Sequence, residues 1–154
     1  VHEYLAHQFV ERKWNWTQET ERLLFESVHS FDDSEQEKIT ELAREHARKA
    51  WENDSFKDLL KGATRVRSEV PLLQLKDKKL VNGVADLVVE HDKVCWLIDF
   101  RTAKMAGRET DEVVKDLQIE RKLRHYEAAL SELVNGKPIR KAVMFTDTDQ
   151  LYEL

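Results

Sequence analysis

The apolar residues of this chain change their spacing twice, and the two changes bound the fold. Up to Gly62 they recur at three- and four-residue steps: Leu5, Phe9 and Val10; Leu23, Leu24 and Val28; then Ile39, Leu42, Ala43, Ala47 and Trp51. That is the helical period. Ser34 with Glu37 three residues on reads as a capping box opening the third of these helices. Residues 55–60 read as one further turn, ended by Gly62. From Thr64 the chain alternates instead, and strands are expected over 64–75, 80–90 and 93–100. The last two are joined by the polar tip Glu90-His91-Asp92-Lys93. Pro71 cannot donate to a ladder, so the first strand belongs at an edge or a bulge. The helical period returns from Thr110 to about Leu133 and stops at Asn135-Gly136. A strand over 139–146 and a short one at Leu151-Tyr152 close the chain. Helices, three strands, a helix and a strand predict an α/β domain with a mixed central sheet of four to five strands flanked by helices. One domain is expected over 1–154, a helical segment (1–61) followed by a sheet-containing core (62–154).

With 154 residues such a domain buries a core without staples. Its single cysteine, Cys95, lies in an apolar run and is expected to be a small buried hydrophobe. No apolar run approaches the roughly 18 residues of a membrane helix, and no signal-peptide pattern opens the chain, so a cytoplasmic protein is expected. It begins with Val1 rather than Met, which reads as a piece of something longer. The formal net charge of −5 does not favour a nucleic-acid partner, because phosphate binding usually shows as a basic excess. The basic residues nevertheless gather in the middle, from Arg65 to Arg108 and again over 121–124, so a local basic face is compatible with the total.

Asp86 and Asp99 each interrupt an apolar strand, in Val84-Ala85-Asp86-Leu87-Val88 and in Trp96-Leu97-Ile98-Asp99. Aspartate is disfavoured in strands, and a buried carboxylate is costly unless paired. If the tip closes a hairpin with Glu90 opposite Lys93, Asp86 falls opposite Leu97 and Asp99 opposite Val84. Both then share a face as diagonal neighbours, about 7–8 Å apart at the backbone. Carboxylates converging from that distance suit one small hard cation such as Mg²⁺. Arg101 projects on the same face, where a cation steadies developing charge on a phosphate. A plainer role is open to the same residues: Asp99 in a turn with Thr102, and Asp86 paired with Arg101.

These residues fall into a known order. Gly83-Val84-Ala85-Asp86, then Asp99-Phe100-Arg101-Thr102, then Tyr126-Glu127-Ala128-Ala129-Leu130 resemble the signature of the RecB/AddA nuclease domain of bacterial helicase-nucleases, within the PD-(D/E)xK superfamily. Ser68-Glu69-Val70-Pro71-Leu72 resembles the strand preceding the signature, and Val1-His2-Glu3-Tyr4-Leu5 the helix with the family's upstream histidine. Ala142-Val143-Met144-Phe145-Thr146 resembles the strand after the helix. The resemblance implies a restriction-endonuclease-like core. It implies Mg²⁺ or Mn²⁺ held by Asp86, Asp99, the backbone carbonyl of Phe100 and His2, with Glu69 and Tyr126 lining the site. The implied reaction is hydrolysis of DNA, as single strands or duplex ends, in DNA repair at the nucleoid. The implied partners are a helicase motor in the same parent chain and a second subunit.

Two positions depart from the family pattern. Its lysine after the second aspartate is Arg101 here, which keeps the charge but does not readily release a proton. Its glutamine four residues before the tyrosine is Lys122. Lys122, one helical turn from Tyr126, and Lys104, reaching back from the loop, are the candidates to supply the missing amine. The same departures also fit a nuclease fold that has lost catalysis and holds DNA or scaffolds a helicase subunit. An unrelated protein-interaction domain with an acidic surface is the third reading. Elsewhere, Trp96 and Trp51 are expected in the core, whereas Trp14 and Trp16, beside Arg12 and Lys13, are candidates for stacking on bases. His7, His29, His46 and His125 sit among charged residues and are expected at the surface, and His91 in a turn.

Overall fold

The strand register carries the architecture. In the computed structural model, which describes residues 8–10, 14, 17, 20, 22, 30–76, 79–102 and 107–154, the five strands are β1 (Arg65–Lys76), β2 (Lys79–Glu90), β3 (Cys95–Arg101), β4 (Ile139–Phe145) and β5 (Gln150–Glu153). They form one sheet in chain order. β1, β2 and β3 are antiparallel neighbours, β4 runs parallel to β3, and β5 returns antiparallel on β4. Pro71 accordingly lies on an edge strand, where its missing N–H costs nothing.

Helices cover both faces. On one side lie α1 (Asp33–Glu52) and α2 (Asp54–Leu60). The inner stripe of α1 buries Thr40, Ala43, Ala47 and Ala50, small side chains, together with His46. Phe56, Phe9 and Phe100 stack beneath it, with Phe9 4.3 Å from Phe56 and 5.8 Å from Phe100 between ring centroids. Trp51 and Trp14 pack at the margin of this cluster, and Trp14 stands 6.2 Å from Trp51. Trp96 joins the same face, half-buried, with the Arg140 guanidinium 4.2 Å above its ring. Trp16, His7 and His29 lie outside the described residues.

The opposite face is covered by α3 (Thr110–Asp116) and α4 (Ile119–Leu133). A single helix was expected over this span; Gln118, at φ +50°, breaks it. The reason lies in the burial pattern. Val113 and Val114 are buried, and so are Ile119, Leu123 and Leu130. The five-residue step from Val114 to Ile119 cannot bring both to one face of a continuous helix. Breaking and rotating the chain does so, and leaves Leu117 43% exposed.

Two smaller expectations also shift. The cap of α1 is Asp32, whose carboxylate accepts from the Glu35 N–H at 2.9 Å, rather than Ser34. The strand expected from 93 starts instead at Cys95, while Glu90 ends β2 as expected, its carboxylate held by Arg67 at 2.6 Å. Cys95 is buried, and burial with the nearby Glu90 charge pushes its thiol up to about 11, so it stays protonated and unreactive. Among the described residues no helix is long and apolar enough to cross a membrane.

Candidate functional site

The β2–β3 hairpin sets the geometry of the two aspartates, with a register different from the one expected. Glu90 pairs with Cys95, not Lys93, and residues 91–94 form a four-residue connection closed by the His91 N–H on the Val94 carbonyl at 2.8 Å. Solvating Asp92 and Lys93 while burying Cys95 favours this longer turn. It adds two residues, an even number, so the faces keep their parity while the pairing slides. Asp86 therefore stands directly across from Asp99, one step beyond the last ladder pair, Leu87–Ile98.

At that step the two strands part. The Phe100 N–H donates to Asp86 Oδ2 at 2.8 Å, so a side chain replaces the neighbouring backbone as its acceptor. The sheet is also distorted on the other side of Asp86. Ser68 pairs with Leu87 and Val70 with Ala85, but Glu69 and Asp86 between them do not pair. Glu69 has φ +47°, a left-handed conformation that costs a non-glycine residue of order 1 kcal/mol. The pleat inverts across this row. Val66, Leu87 and Val89 pack toward α1 and α2, whereas Val70, Leu72 and Ala85 pack toward α4. Glu69, Asp86 and Asp99 thus occupy one row across three strands, at the place where regular pairing fails on both sides.

Asp99 is the most enclosed member, 2% exposed. Lys122 of α4 donates to its Oδ1 at 2.6 Å, and Arg101 Nε lies 2.5 Å from its Oδ2. The second contact is an ion pair without hydrogen-bond alignment, and both of its atoms are buried. A carboxylate this far from water requires a counter-charge, and here two cations converge on it. The plainer sequence reading paired Asp86 with Arg101; the structure pairs Asp99 with it.

Tyr126, one turn after Lys122, fixes that lysine. Its ring lies against Gly83, where an added Cβ would fall 2.4 Å from Tyr126 Cε1 and 2.5 Å from the hydroxyl. Lys122 Nζ is 5.2 Å from the ring centroid on the other side, within cation–π range. The glycine three residues before Asp86 is therefore required by a ring packed on the strand, not by a turn. Of the expected site residues, Asp86, Asp99, Phe100, Arg101, Lys122 and Tyr126 come together, while Glu69 is exposed and shares only their row of the sheet. His2 and Lys104 lie outside the described residues.

The donor set is all oxygen, which suits a hard divalent cation. Among the described residues, however, no three His, Cys, Asp or Glu side chains form a group able to hold a metal. Asp86 with Asp99 offers two such ligands, and an ion reaches Asp99 only by displacing one of its cations. The row can bind a cation, or keep its own.

His46, expected at the surface, is buried, with its Nδ1 2.8 Å from Thr146 Oγ1. The sequence did hold a signal for this: His46 follows Ala43 by three residues, on the same inner stripe of α1. His125 is exposed and His91 sits at the hairpin turn, as expected. Compared with protein-family models and with curated proteins, the chain matches none.

Proposed function

We propose that this chain carries a Mg²⁺- or Mn²⁺-dependent DNA-hydrolysing site of the RecB/AddA nuclease kind at the parting of β2 and β3. The reading is supported by the register, which carried one step past its last pair sets Asp86 opposite Asp99, and by the Phe100 N–H that donates to Asp86 Oδ2 at that step. The order of elements, three strands, a helical crossover and a fourth strand, follows the order of the motifs that carry the resemblance. Asp86, Asp99 and the Phe100 carbonyl would hold the ion, with His2 added by the resemblance. When bound, such an ion lowers the pKa of a water and neutralises charge at phosphorus. Lys122 takes the place of the family's amine: its ammonium reaches Asp99 from α4, where it can hold a phosphate oxygen. Arg101 supplies fixed positive charge beside it. Substrate would be single-stranded DNA or duplex ends, delivered by a helicase motor of the parent protein with a second subunit.

One observation favours a second reading. Asp99 already has two cations within 2.6 Å, as expected of a nuclease fold that has given up its metal and keeps a DNA-holding role. Degradation of linear DNA with and without Mg²⁺ or Mn²⁺ separates the two, with Asp99→Ala as control. The proposed enzyme degrades DNA only with the metal, and Asp99→Ala lowers the rate by at least about a hundredfold. Intact DNA bound with a steep salt dependence would establish the second reading. Equal degradation by wild type and Asp99→Ala would exclude this site as the catalyst. A chain that neither cuts nor binds DNA would leave only a protein-interaction role.

A further inference from the structure

His46 has no part in the site described above, yet the bond it makes leads straight to it. Thr146, fully buried just after β4, aims both of its donors at one atom: its N–H lies 2.9 Å and its hydroxyl 3.2 Å from the Arg101 carbonyl oxygen. A carbonyl can only accept. With the hydroxyl proton on the Arg101 carbonyl, as the 3.2 Å contact has it, Thr146 Oγ1 is left to accept from the His46 Nδ1–H. The contacts then continue from Arg101 Nε to Asp99 Oδ2 and from Asp99 Oδ1 to Lys122. A helix on one face of the sheet is thereby tied to an ion-paired carboxylate facing the helix on the other.

The location gives the bond its use. Arg101 is the last residue of β3, and its pairing with Phe145 is the last of the parallel ladder. A strand end frays unless something holds it. The other buried positions of the α1 stripe are filled by Thr40, Ala43, Ala47 and Ala50. An imidazole among them must be desolvated, a cost offset only by the hydrogen bond its N–H makes. We propose that His46 is a positioning residue: acting through Thr146, it fixes the end of β3 and with it the placement of Arg101 against Asp99. The link to catalysis rests on the proposed function; the strut itself does not.

The test is NMR on the full 154-residue chain, following hydrogen exchange of the Arg101 Nε–H and the Thr146 amide, with the Leu130 amide in α4 as internal reference. His46→Leu and Thr146→Val should each speed exchange at both reporters by about tenfold relative to Leu130. His46→Asn, whose amide N–H can stand near the place of Nδ1–H, should restore slow exchange. If His46→Leu does not fold, Thr146→Val decides alone, because it keeps the shape and removes only the hydroxyl. Unchanged exchange in Thr146→Val overturns the proposal. So does equal acceleration in His46→Leu and His46→Asn, which would assign the effect to packing rather than to the donor. A parallel Mn²⁺ titration of the wild type keeps the two ideas apart. No binding there sinks the metal reading, while the Arg101 reporter still decides the strut.

Discussion

Asparagine in place of Asp99 is expected to destabilise the chain by about 2–3 kcal/mol, measured as a shift in urea midpoint at constant slope. The carboxylate is 2% exposed, and Arg101 and Lys122 lie 2.5 and 2.6 Å from its oxygens. Removing the anion leaves two converging cations with nothing between them. The figure falls below that for a fully closed pair because the side chains of Arg101 and Lys122 are 26% and 32% exposed and regain water by swinging outward. The sign rests on repulsion, so it has an internal control. Adding Lys122→Met to Asp99→Asn should recover part of the loss, although Lys122→Met alone is destabilising. Such non-additivity is expected only of groups in direct contact. Asp99→Asn with wild-type stability would mean that the carboxylate is not held in this way.

Alanine at Gly83 should cost about 1–3 kcal/mol, the usual penalty for overpacking. The new methyl would stand 2.4 Å from the nearest Tyr126 ring atom, far inside van der Waals contact. Tyr126 must move, and Lys122, 5.2 Å from its centroid, loses the surface that holds it over Asp99. Gly83→Ala should therefore weaken any function of Lys122 along with stability. Tyr126→Leu should absorb much of the penalty in the double variant, because a leucine leaves space where the ring edge was. Simple addition of the two single effects would show that the strand and ring do not touch.

How far the sequence announced this site depends on which physical signal each part leaves. The aspartates were legible because a carboxylate inside an apolar strand is costly and therefore conspicuous, and a hairpin loop of two residues or of four leaves both on the same face. Their exact opposition was not legible. Register depends on whether the loop takes two residues or four; Glu90 precedes it either way, and the outcome turned on Lys93 and Val94 leaving the strand so that Cys95 is buried opposite Glu90. Lys122 could be placed toward the site from its helical spacing to Tyr126. That it would be bonded to Asp99 could not. The break at Gln118 left only a faint trace, a five-residue step between apolar positions that a single helix period averages away. The pleat inversion at Glu69 and Asp86 left none, because no residue is added to either strand and neither position carries glycine. His46 was misplaced because charged neighbours on the outer face of α1 outnumber the small residues of its inner stripe.

Mn²⁺ binding at Asp86 and Asp99 can be followed by electron paramagnetic resonance. Saturable binding is expected, lost in Asp86→Asn and in Asp99→Asn, kept in Asp92→Asn at the exposed hairpin tip, and tightened in Lys122→Met, where no ammonium competes for Asp99. A wild-type chain that binds no Mn²⁺, or aspartate variants that bind it as well as wild type, would contradict a metal site at the row of Glu69, Asp86 and Asp99.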